Sequence, residues 1–157
     1  MPKSDPIRPT DAEARALARR LIDGARFGAL GVLMEGAPHV TRIAIARDAE
    51  GWPQGLISDL SLHTQALKDD PRASLLLGEP GAKGDPLTHP RLTLEVTATF
   101  VEKTDAAREA YLAQYPKARL YFDFADFHLV TFVPNAAHLN GGFGKAYRLA
   151  RSDLEPQ

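Results

Sequence analysis

Between Leu92 and Val101 the chain alternates without a break, with Leu92, Leu94, Val96, Ala98 and Phe100 on one side and Thr93, Glu95, Thr97 and Thr99 on the other. Side chains of an extended backbone point to opposite faces in turn, so this stretch demands a long strand with one face in a core and the other toward water or a ligand. A half-buried strand of that kind belongs in an antiparallel sheet, not in a parallel sheet covered by helices on both faces. The remaining strand patterns fall at Phe27–Met34, His39–Arg47, Gln54–Ser58, Ala73–Leu77 and His128–Val133, followed by a last strand through His138. Ala73–Leu77 is an uninterrupted apolar run and reads as a strand buried on both faces.

Helical spacing is confined to short segments. Ala14, Leu17, Ala18, Leu21, Ile22 and Ala25 recur at intervals of three and four, which predicts a helix over 11–25 with Thr10 or Asp11 as its cap. Ser61–Asp70 and Asp105–Gln114 read as two more helices, and Glu35–Pro38, Asp48–Pro53 and Gly78–Pro90 as connections rich in turn formers. Without a regular strand-helix rhythm, the expected fold class is mostly β (α+β): a small antiparallel barrel of six strands flanked by short helices. One domain over 1–157 is expected, with tails at 1–10 and 145–157.

Composition removes several classes of function. There is no cysteine, so thiolate nucleophiles, cysteine-ligated clusters and disulfides are excluded, and any redox chemistry needs a bound cofactor. A formal net charge of −1 without a long Lys/Arg run argues against nucleic acid as a partner. No apolar run approaches the roughly 20 residues that span a bilayer. Residues 1–10 are polar and proline-rich, which predicts a cytoplasmic protein that does not associate with a membrane. The five histidines are scattered without metal-ligand spacing, so no metal site is expected. No nucleophile elbow is present, and no side chain stands out as a catalytic acid or base.

The pattern richest in chemistry is the passage from strand to helix at Ser58-Asp-Leu-Ser-Leu-His-Thr64, preceded by Arg42 and Arg47. The first backbone N–H groups of a helix lack intrahelical partners and attract anions, and Ser61, His63 and Thr64 add side-chain donors. Arg42 adds a guanidinium fork suited to phosphate oxygens. The alternative is that Ser61 only caps the helix and the rest is ordinary surface. Arg42 and Arg47 are five residues apart, so both meet one ligand only if the strand bends or ends between them. Gly141-Gly-Phe-Gly144 reads as a tight bend that lets backbone approach a flat ligand. The Tyr121–Phe127 aromatics read as core or subunit interface.

These residues resemble the pyridoxamine 5'-phosphate oxidase-like family, which binds FMN in a split β-barrel. The resemblance rests on Arg42-Ile-Ala-Ile-Ala-Arg47, Ser61-Leu-His-Thr64 and Asp70-Pro-Arg-Ala-Ser-Leu-Leu-Leu77. Within it the chain is most similar to the haem-utilisation branch, through Asp85-Pro-Leu87, Arg91-Leu-Thr-Leu94, Asp126-Phe127 and Gly141–Gly144. The resemblance implies a six-stranded split barrel that forms a homodimer with FMN between subunits. By it Arg42, Ser61, His63 and Thr64 hold the FMN phosphate, while Ile57, Ser58 and Arg47 border the flavin ring. The activity implied is FMN-dependent oxidoreduction of a small molecule. The alternatives are a non-catalytic flavin- or haem-binding protein, or a haem-degrading enzyme in which His138 or another histidine ligates iron. Lys145-Ala-Tyr-Arg-Leu-Ala150 lacks the histidine with which vitamin B6 oxidases grip their substrate, which argues against that substrate.

Overall fold

The computed structural model describes residues 5–156. Its strands are β1 (Ile7–Arg8), β2 (Phe27–Met34), β3 (Ala37–Ala44), β4 (Ala46–Arg47), β5 (Pro53–Ser58), β6 (Arg72–Leu77), β7 (Arg91–Val101), β8 (Phe127–Asn140) and β9 (Ala146–Ala150). The helices are α1 (Ala12–Asp23), α2 (Leu62–Asp69) and α3 (Asp105–Gln114). Asp11 caps α1 by accepting from the Ala14 N–H at 2.8 Å, and Thr104 caps α3 in the same way.

Six strands form the barrel in the order β3-β2-β6-β7-β8-β5, every adjacent pair antiparallel. The ends of this order return beside one another without a ladder: a Cβ on Gly55 of β5 would lie 3.4 Å from Ile43 Cδ1 and 3.6 Å from the Ala44 carbonyl. That unladdered seam is the split. The β2–β3 hairpin turns through Glu35 and Gly36, both at positive φ, as a tight two-residue hairpin requires. Gly28 permits close approach of β2 to β6, because a Cβ there would sit 2.9 Å from Leu77 Cδ2 and 3.1 Å from the Leu76 carbonyl.

Leu30, Leu75, Leu92, Leu94, Phe132 and Leu139 fill the barrel, and Tyr111, Leu112, Phe122 and Leu129 make a second core beneath α3. Among the described residues no helix is long and apolar enough to cross a membrane.

The expected mostly β architecture and its six barrel strands are present, but nine strands occur in all among the described residues. The expected 39–47 strand is interrupted at Ile45, whose N–H turns to the Arg26 carbonyl at 2.9 Å, leaving β4 as a separate piece paired with β5. The expected break after Val133 is absent. Pro134 and Asn135 form a bulge inside one long β8, and a bulge accommodates a proline that cannot donate to a ladder.

Residues 145–157, expected as a tail, contribute β9 and a 3-10 turn over Arg151–Leu154, burying Tyr147, Leu149 and Leu154. The expected tail at 1–10 contains β1, which runs parallel to β9; residues 1–4 lie outside the described residues. β6 is not buried on both faces: Leu75 and Leu77 point into the barrel, while Leu76 is 43% exposed with Arg72 and Ser74. A barrel strand has one outer face whatever its composition, so three consecutive leucines cannot all be inside. Phe100, expected in the core, lies near the strand end at 37% exposure.

Candidate functional site

At the entrance to α2 the corner is tied together internally. The Thr64 hydroxyl donates to the Ser58 carbonyl at 2.6 Å, and the Ser58 hydroxyl accepts from the Leu60 N–H at 3.1 Å. Ser61 occupies the cap position without a side-chain capping bond, so the cap-only alternative does not describe its hydroxyl. Ile57 is buried on β5 opposite His128. His63 is buried, and its Nδ1 lies 2.9 Å from Thr41 Oγ1. Burial pushes the His63 imidazole below its ordinary value, and the nearby His39 adds to the effect. His39 and Thr41 are opposite the buried Val32 and Leu30, so this cluster lies on the inward side of the seam.

The two arginines part company. Arg47 sits on β4 and its guanidinium donates to the carbonyls of Ile22 at 3.3 Å and Ala25 at 2.5 Å, at the end of α1. Its backbone is clasped by Gln114, which accepts from the Arg47 N–H and donates to its carbonyl. The strand does end between Arg42 and Arg47, but the side chains diverge. Arg42 is exposed on the barrel exterior, with its guanidinium 5.1 Å over the Phe27 ring. It borders a basin of about 390 Å³ shared with Ala29, Leu76 and Glu79. The structure thus joins Ser58, Ser61, His63 and Thr64 in one corner. It places Arg42 on the opposite face of β3 from Thr41, over Phe27, and Arg47 at the end of α1.

Register reveals a second arrangement. Arg42 pairs with Ala29, Ala29 with Leu76, Leu76 with Thr93, Thr93 with His138 and His138 with Arg148. Directly paired residues share a face, so these side chains form one transverse row over the exterior. Four strand spacings of about 4.8 Å place Arg42 roughly 19 Å from His138 along the sheet. His138 Nε2 is 3.1 Å from Glu95 Oε1, both groups about half exposed. Neither the Arg42 nor the Arg148 guanidinium has a carboxylate partner among the described residues. Arg148 was not among the expected site residues because it falls in the supposed tail; the Tyr147-Arg148-Leu149 alternation was the signal that could have placed it.

The residues fit two groups of related shape. A haem carries an iron that imidazole ligates and carboxylates that guanidinium binds; His138 and Arg148 supply those chemistries side by side, whereas Arg42 lies four strands away around the barrel. FMN carries a phosphate and a flat ring; the Ser61 hydroxyl at the α2 corner and the Arg42 guanidinium on the barrel exterior are each a phosphate donor, on different faces of β3.

The sequence profile of the CREG β-barrel family matches residues 9–154. The chloroplastic heme oxygenase HOZ of Arabidopsis thaliana is 34% identical over 136 residues, 82% of this chain and 40% of that protein. A heme binding protein from Mycobacterium smegmatis superposes with a TM-score of 0.82 at 30% identity, over 94% of this chain and 61% of that one. The chain therefore spans less than two thirds of either relative. A protein related to general stress protein 26 from Clostridium acetobutylicum, of the pyridoxinephosphate oxidase family, matches with a TM-score of 0.69 over 92% of this chain and 99% of that one. At 14% identity that likeness shows the shared split-barrel fold alone.

Proposed function

The chain belongs to the CREG β-barrel family, and from that premise we propose that it binds haem against the exterior of its barrel, between two copies of the chain. The observation that carries this reading is the exterior pair His138 and Arg148, cross-strand neighbours on β8 and β9, with Glu95 Oε1 3.1 Å from His138 Nε2, which sets an imidazole beside a guanidinium on one exposed face. Its support includes relatives at 34% and 30% identity whose names specify heme oxygenase and heme binding. His138 would hold the iron, Glu95 would orient its ring, and Arg148, its cross-strand neighbour, would take a carboxylate. Iron when bound supplies a centre able to coordinate small molecules and exchange electrons. Leu76, 43% accessible, lies two strands from His138 on the same face and would be covered when a second copy docks.

Haem titration followed by absorption tests this. Saturable binding with a shifted Soret band, altered in His138→Ala, is the expected result; no Soret shift at any protein concentration overturns it.

A second reading is an FMN-dependent oxidoreductase acting on a small molecule, favoured by the exposed Arg42 guanidinium and the uncapped Ser61 hydroxyl. Bound flavin supplies hydride or electron transfer, and the protein supplies orientation. Saturable quenching of FMN fluorescence, lost in Arg42→Ala and retained in His138→Ala, distinguishes this reading from the first.

A further inference from the structure

The exterior of β7 continues from Thr93 to Thr99, six residues or roughly 20 Å further on at the rise of a strand, and there it passes under α3. A cavity of about 410 Å³ lies at this end, within the size range of small-molecule pockets. Its walls are Trp52, Val101, Val133 and one side of α3, where Ala106, Ala107 and Ala110 leave the space open.

The charged groups of the cavity are all carboxylates, beside the hydroxyls of Thr99, Thr104 and Thr131 and the amide of Gln54. Gln54 is only 5% exposed; its amide nitrogen donates to Thr131 Oγ1 at 3.1 Å, while its amide oxygen accepts no hydrogen bond from the protein. No fully buried side-chain polar atom among the described residues lacks a partner, so this oxygen reaches open space, and Gln54 lines the cavity. Three carboxylates, Asp48, Glu50 and Glu102, line the cavity, none in an ion pair among the described residues. Asp48 accepts from the backbone N–H groups of Glu50 and Trp52, and Glu50 from the Trp52 indole N–H at 3.1 Å, whereas Glu102 has no protein donor. No Lys, Arg or His lines the cavity; the Arg151 guanidinium lies 5.6 Å over the Trp52 ring but is outside the lining. An inward acceptor, a carboxylate rim and apolar walls complement a hydrogen-bond donor with positive charge on an apolar body.

We propose that this cavity binds a small organic cation, an aromatic or aliphatic body carrying a primary ammonium group. The ammonium donates to the Gln54 amide oxygen under the field of the three carboxylates, and the body packs between Trp52 and the α3 alanines. The proposal is independent of the haem and FMN readings, which use the other end of the barrel.

Trp52 is the single tryptophan of the chain, so its emission reports directly on the cavity. The full-length protein is titrated with 2-phenylethylammonium chloride and, separately, with sodium 3-phenylpropanoate at matched ionic strength. Expected is a saturable change of Trp52 emission with the amine and at least tenfold weaker binding of the carboxylate. Glu102→Gln, an exposed substitution that leaves the fold alone, weakens the amine two- to fivefold without affecting the carboxylate equally. Ala107→Leu, which fills the cavity, abolishes the response while the thermal transition stays cooperative. No saturable change with the amine, or equal affinity for both probes, overturns the proposal; so does full amine binding in a folded Ala107→Leu protein.

Discussion

Thr41 and His63 are joined across the seam of the barrel by a 2.9 Å hydrogen bond between Oγ1 and Nδ1. The bond ties α2 to β3 where no backbone ladder does, and buries an imidazole beside a second histidine, His39. Neutral imidazole serves this contact, whereas the charged form lacks solvent and meets a like charge nearby.

Stability should therefore fall on acidification in a window set by His63. Its folded value is lowered from 6.5, chiefly by burial, so below that pH the unfolded chain takes up a proton that the folded chain resists. Proton uptake by the unfolded state lowers stability as pH falls, beginning near pH 6.5 and ending at the lower folded value. Thermal midpoints measured across that interval should decline for the parent protein. His63→Asn, which can still bond Thr41 but cannot titrate, should flatten the decline; an unchanged slope would assign it to other groups.

Arg42→Ala should separate binding from folding. The side chain is exposed, without an acid partner, and contributes only a contact over Phe27. Removing it should leave stability within about 0.5 kcal/mol of the parent. Affinity for FMN should drop at least tenfold, about 1.4 kcal/mol, while haem affinity at His138 and Arg148 should stay within twofold. Paired titration and denaturation curves check both halves.

The barrel was legible because its long strands alternate: the pattern from Leu92 to Val101 sets the face, and the turn formers at Glu35-Gly36 set the hairpin. What stayed hidden were effects decided by partners far along the chain. Leu76 looks no different from Leu75 in sequence, and only the pairing of β6 between β2 and β7 turns it outward. Pro134 looks like a strand end until a bulge opposite Glu95 and Val96 accommodates it. The corner residues Ser58, Ser61, His63 and Thr64 were legible as a group because they are close in sequence. The transverse row was not, since its members come from six strands and share only register.

Arg47→Ala should do the reverse of Arg42→Ala. Its guanidinium holds the Ile22 and Ala25 carbonyls at the end of α1, where a cation also complements the helix dipole. Hydrogen bonds to charged groups contribute roughly 1.5–3 kcal/mol, so a loss of about 2 kcal/mol in unfolding free energy is expected. Cofactor affinity of the folded protein should stay within twofold. A tenfold loss of affinity with unchanged stability would place Arg47 at the ligand and contradict the geometry.

Lys103 offers the clearest test of a single cation as a fastener. Its ammonium donates to the carbonyls of Phe122 at 2.8 Å, Phe124 at 3.0 Å and Phe127 at 2.9 Å, gathering the loop between α3 and β8 onto the end of β7. The same charge lies 5.6 Å over the Phe122 ring, a fully buried member of the second core. Lys103→Met keeps the apolar stem but removes all three donors. Water can reach part of the site and replace some of them, so the expected loss is about 2 kcal/mol, less than three independent charged bonds would contribute. The nearby Arg108–Asp123 pair is also well aligned, at 2.9 Å, but Asp123 is 62% exposed. Solvent screens such a pair, and Arg108→Ala should cause no measurable loss. Denaturant midpoints of the two variants, compared with the parent at equal slopes, decide whether carbonyl clamping or surface charge pairing holds this loop.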